Sequence, residues 1–150
     1  MLDRNYLQDL SEALSRIPCR VVIPSEWGDF FSERGPQLGG AGRQRRFGRM
    51  NYRTKILIEL GTSLPAIPRK PGKQVVLMRD ISRKGAGFLH AEQLYPGELV
   101  RLSLATGPMM AQVTRCIRHN AHCYEVGAEF YDPLLGAERP AGGAQRSGDR

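Results

Sequence analysis

Apolar side chains in the first part of the chain fall at Tyr6, Leu7, Leu10, Ala13, Leu14 and Ile17. That i, i+3, i+4, i+7 spacing is one stripe of an amphipathic helix over residues 3–17. Pro18 ends it, because a ring in place of the amide hydrogen cannot continue the helical ladder. The stripe is expected to pack on the domain's own core, with a docking or dimerisation helix as the alternative. Trp27, Phe30 and Phe31 form an apolar cluster that would hold the helix in place. Residues 32–42, SERGPQLGGAG, carry glycine and polar residues in place of any apolar period and read as a flexible linker.

Beyond the linker the period changes from helical to alternating. Tyr52–Leu60 alternates in part and predicts a strand, and residues 61–73, with three prolines and two glycines, predict a loop. Val75–Arg79 and Gly87–Leu89 read as short strands on either side of a polar turn. Pro96-Gly97 marks a turn before the cleanly alternating Glu98–Leu104. The last pair reads as a hairpin turning at Asn120-Ala121. Val113, Ile117, Tyr124, Val126, Ala128 and Phe130 would share one face, and Thr114, Cys116, Arg118, Cys123, Glu125 and Glu129 the other. About six short strands with almost no helical pattern between them predict a small all-β antiparallel barrel or sandwich. The organisation expected is a helical N-terminal extension at 1–31, a linker at 32–44, an all-β domain at 45–132 and a disordered tail at 133–150.

Composition narrows the partners more than the fold. At 150 residues there is room for one domain with a real core. No apolar run is long enough to cross a bilayer, and Met1–Tyr6 lacks the basic-then-apolar order of an export signal, so the chain reads as cytoplasmic. The three cysteines, an odd and sparse set, read as free thiols. A net charge of +7 implies an anionic partner. Much of that charge is local: Arg43, Arg45, Arg46, Arg49, Arg53 and Lys55 fall in a stretch without a single acid. Arginine in preference to lysine suits forked contact with phosphate or a guanine edge.

Two motifs carry the chemistry. Arg45-Arg46-Phe47-Gly48-Arg49 is an Arg-x-x-x-Arg element just before the first barrel strand. Asp80-Ile81-Ser82-Arg83-Lys84-Gly85 is an Asp-x-Ser-x-x-Gly turn between two strands. In this order, and followed by the closing strand Glu125–Phe130, they resemble the signature of the PilZ-domain family of cyclic di-GMP receptors. The resemblance covers residues 44–132. It implies a six-stranded antiparallel β-barrel that binds cyclic di-GMP and is not an enzyme, with no further cofactor. By this resemblance Arg45 and Arg49 would grip phosphate and guanine, Asp80 and Ser82 would read guanine, and Gly85 would shape the turn. Arg46, Arg83 and Lys84 would be secondary contacts. The chemistry is apt: an arginine forks onto O6 and N7 or onto phosphate, and a carboxylate accepts from guanine's N1 and N2 donors. Some family members carry a further arginine immediately before the Arg-x-x-x-Arg element, a residue associated with binding an intercalated ligand pair. Here that position is Gln44, with Arg43 one further back, which leaves the stoichiometry open.

Other chemistries have less to stand on. Cys116, His119, His122 and Cys123 are zinc-ligand types close in sequence. On the predicted hairpin, however, the cysteines fall on one face and the histidines on the other, so no metal is expected. No phosphate loop, dinucleotide fingerprint or nucleophile elbow is present. A basic barrel could bind single-stranded nucleic acid, but Phe88, Tyr124 and Phe130 fall on core-facing positions where they could not stack on bases. An adaptor that docks a protein partner through the N-terminal helix or the barrel surface is a third reading, and it is compatible with ligand binding.

Overall fold

The computed structural model describes residues 4–28, 30–32, 34–36 and 50–131. The Arg-x-x-x-Arg element, residues 37–44 of the expected linker and the tail from 133 lie outside them.

The chain opens with helix α1, Arg4–Arg16. Short 3-10 turns follow at Ser25–Trp27 and Phe30–Ser32. Strand β1 is Arg34–Pro36, β2 Met50–Leu60, β3 Lys73–Ile81 and β4 Gly85–His90. Then come β5 Leu99–Leu104, β6 Gly107–Asn120 and β7 Cys123–Tyr131. All pairings are antiparallel in the order β1-β2-β3-β4-β7-β6-β5, and β5 returns to β2 through Leu57↔Ser103 and Ile58↔Leu102. β2 to β7 therefore close a six-stranded barrel, the fold the sequence predicts. β1 falls inside the stretch read as a linker and adds an outer strand, with Pro36 opposite Met50.

Alternation sorts the apolar residues. Ile56, Ile58 and Leu60 of β2, Val76 and Met78 of β3 and Phe88 of β4 point inward, where Leu94, Leu102, Val113 and Val126 join them. The intervening Leu57, Val75, Leu77 and Leu89 point outward and are buried as well. The N-terminal segment covers them. Leu10 and Ala13 of α1 pack on Leu57 and Val75. Phe30, with Val21, Ile23 and Trp27, packs on Leu77, Leu89 and Cys123. Full burial of one such leucine stabilises by about 1.5–3 kcal/mol. The helix stripe thus packs on its own barrel, and the Tyr6 hydroxyl fixes it further by donating to the Leu104 carbonyl at 2.7 Å. Between α1 and the first 3-10 turn the chain runs extended. Cys19 bridges to Val75, and Val22 exchanges backbone and side-chain hydrogen bonds with His122 and Asn120 at the β6–β7 tip.

The faces of the β6–β7 hairpin differ from the simple alternation. Val113 pairs with Ala128, but Arg115 pairs with Gly127, so β6 carries one extra residue at Thr114; a second shift follows before Asn120. A bulge of one residue reverses the parity beyond it. Cys116 therefore turns in against the barrel core, while Ile117 is 46% exposed. Cys123 is buried in the outer cluster under Phe30, on the other side of the wall from Cys116. The turn is Ala121-His122, one residue later than the pattern predicts.

Candidate ligand-binding site

The Asp80–Gly85 turn joins β3 to β4. Ser82 and Gly85 close it: the Ser82 amide donates to the Gly85 carbonyl at 2.9 Å, and the Ser82 hydroxyl accepts from the amides of Lys84 and Gly85 at 3.3 Å each. Arg83 and Lys84 form its exposed tip. Gly85 is not at positive φ, so it does not shape the turn through left-handed backbone. A methyl group there would collide with the Ala128 carbonyl of β7. Glycine is required because the neighbouring strand comes so close.

Asp80 is fully buried, with its side chain lying over Gly87 of β4. A methyl group at Gly87 would come within 2.8 Å of Asp80 Oδ1. The ladder shifts between Met78 and Asp80, so Arg79 is an extra residue whose side chain leaves the β alternation. Arg79 Nη2 donates at 2.9 Å to Asp80 Oδ2 and at 2.9 Å to Glu125 Oε2 of β7. Glu125 Oε1 in turn meets His119 Nε2 at 2.8 Å. Arg115, 43% exposed, reaches the same Glu125 only at 3.8 Å and lies across Gly127. Gly87 and Gly127 are direct cross-strand partners. Together they leave a strip of barrel wall without side chains, with a carboxylate over one glycine and a guanidinium over the other.

This wall is tied to the N-terminal segment. Arg53 Nε donates to the Arg79 carbonyl at 3.0 Å and Nη1 to the Phe30 carbonyl at 3.3 Å, with its guanidinium 4.4 Å above the Phe30 ring. Trp27 stands edge-on to His119, with centroids 4.8 Å apart.

The β2–β3 register brings the start of β2 to this turn. Asn51 pairs with Asp80 and Met50 with Ile81, so β2 begins beside the Asp-x-Ser-x-x-Gly turn. Arg49 immediately precedes Met50, and Arg45 is within five residues of it, a reach of at most about 18 Å. Of the expected site residues the structure therefore brings together Asp80, Ser82, Arg83, Lys84 and Gly85. Arg45, Arg46 and Arg49 lie outside the described residues. The motif reading missed Arg79, Arg115, Glu125, Gly87 and Gly127. Gly87 and Gly127 were visible as glycines inside strands, a mark of close approach. The arginines carried no such mark.

Among the described residues no three His, Cys, Asp or Glu side chains converge as a metal site. His119 is committed to Glu125, and burial pushes the Cys123 thiol up to about 11. Among these residues, too, no helix is long and apolar enough to cross a membrane.

A model of the PilZ domain matches residues 43–139. The chain belongs to the PilZ-domain family, whose members are ligand-binding domains of the cyclic di-GMP type. No curated protein matches the chain.

Proposed function

We propose that this protein is a cytoplasmic cyclic di-GMP receptor without catalytic activity or a further cofactor. The observation that supports the reading is the register of β2 on β3, which starts β2 beside Asp80, and the arginine-rich segment immediately precedes β2 in the chain. In this reading Arg45 and Arg49 hold phosphate and guanine, with Arg46, Arg83 and Lys84 as outer contacts. Asp80 and Ser82 take the guanine edge, and the Gly87–Gly127 strip gives a flat ring room to lie. Because Asp80 is fully buried, ligand contact requires movement of what covers it. That movement would couple binding to shape. The route is Arg53 and the Trp27–His119–Glu125 chain, which join this wall to residues 17–32. A protein partner would then read the altered N-terminal segment or barrel surface.

Calorimetric titration with cyclic di-GMP, with guanosine and a single-stranded oligonucleotide as controls, tests the binding. Arg45→Ala, Arg49→Ala and Asp80→Ala are each expected to abolish detectable heat. Unchanged binding by these variants would refute the site. Hydrogen exchange tests the coupling separately: protection should change at residues 17–32 on adding ligand, and no change there removes the switch.

A further inference from the structure

A second site lies at the far end of β3. Lys73 lies seven positions before Asp80 along this strand, or roughly 23 Å away. A cavity of about 540 Å³ opens there between the extended segment Ile17–Arg20 and the loop Pro68–Lys73. That volume is within the roughly 300–1,000 Å³ of small-ligand sites. Its walls carry apolar surface, Ile17 and Pro18 on one side and Pro68 and Pro71 on the other.

Both walls are held. Pro18 stiffens one and Pro68 and Pro71 the other. The Cys19–Val75 bridge pins the first wall to β3. Arg69 pins the second through a forked pair to Glu98, at 2.9 and 2.6 Å, and a 2.9 Å bond to the Gln93 carbonyl. The remaining cations of the lining, Arg20, Lys70 and Lys73, are exposed, and their side chains make no ion pair or hydrogen bond among the described residues. The one acid in the lining, Glu92, already faces Arg69 at 3.7 Å. Proline-stiffened walls with apolar faces and three uncommitted positive charges make a seat for a multiply charged anion with a flat or apolar body.

We infer that this cleft binds a phosphorylated small molecule of mononucleotide size, with Arg20, Lys70 and Lys73 on the phosphate and the ring between the Ile17–Pro18 and Pro68–Pro71 walls. The site shares no residue with the Asp80 wall, so it stands or falls independently of cyclic di-GMP binding.

Amide NMR spectra of the full chain, titrated in turn with GMP, AMP, pyrophosphate and guanosine, test it. Expected are saturable shifts at residues 17–20, 68–76 and 91–92 with both mononucleotides, weaker ones with pyrophosphate and none with guanosine. The double variant Lys70→Ala/Lys73→Ala should weaken mononucleotide binding by about tenfold or more, since two charge-assisted contacts are lost. It should leave the response of residues 79–87 to cyclic di-GMP as it was. No shifts in the cleft at millimolar mononucleotide, or shifts confined to residues 79–87, would overturn the proposal. So would a glutamate-rich decapeptide that shifts the cleft residues while the mononucleotides do not.

Discussion

Two buried arginine–carboxylate pairs sit at opposite ends of the same barrel and are finished differently. Arg69 and Glu98 form a complete pair: both carboxylate oxygens are taken by the fork, and the Tyr95 amide adds a third bond at 2.8 Å. Glu98 is 1% and Arg69 11% exposed. Its effect is to staple the proline-rich loop 61–73 to the β4–β5 connection. In the Arg79–Asp80 pair the arginine is incompletely used. One nitrogen serves two carboxylates, Nε is buried without a partner among the described residues, and Arg115 stands nearby in a loose 3.8 Å contact. An unsatisfied buried donor costs about 1–3 kcal/mol. A fold that only needed a brace would place its donors as the Arg69 pair does. The difference separates an arginine whose bonds are all used in holding structure from one with a donor to spare beside the proposed site.

The comparison can be broken by substitution. Arg69→Ala leaves Glu98 buried and unpaired and is expected to destabilise by about 3–5 kcal/mol in urea unfolding. Asp80→Ala, which leaves Arg79 its bond to Glu125, should cost only about 1–2 kcal/mol. Equal losses would mean that both pairs are structural staples. A finer cut is Gly87→Ala, whose methyl would crowd Asp80 Oδ1 at 2.8 Å. It should weaken cyclic di-GMP binding about tenfold, equivalent to 1.4 kcal/mol, while its stability loss stays near 1 kcal/mol. An affinity equal to that of the parent chain would show that the carboxylate's place over the glycine strip is irrelevant to the ligand.

The smallest expected effect belongs to the stapled end. His90 is fully buried, Nδ1 accepts from the Glu92 amide at 2.9 Å, and Nε2 has no partner among the described residues. Burial, the largest influence, lowers its pKa. The unfolded chain, with an ordinary histidine near 6.5, then binds a proton that the folded chain resists. Stability contributed by the neutral ring is complete above about pH 6.5 and is lost as pH falls from there toward the lowered folded value. Unfolding free energies at pH 7.5 and 5.5 should differ accordingly, and His90→Asn should flatten that difference. A slope that survives the substitution would assign it to other groups.

Much of this was legible along the chain, for physical reasons that differ by region. The barrel strands announced themselves because Ile56, Ile58, Val76, Met78 and Val126 must alternate to reach one interior. The packing of the α1 stripe on the domain's own core was also legible, and the structure shows where: α1 covers Leu57 and Val75, while the Phe30 cluster covers Leu77. The Asp80–Gly85 turn was readable because its hydrogen bonds are local to six residues. Nothing in the sequence marked the bulges at Thr114 and Arg79. A bulge is decided by the fit of one strand on its neighbours, and it reversed the faces of Cys116 and Ile117. Closure of β2 on β5 set the Asp80 and Arg69 ends apart, and the β4–β7 pairing brought Gly87 to Gly127 and, across that wall, Arg79 to Glu125. These are contacts between residues far apart in the chain, and only the closed barrel could decide them.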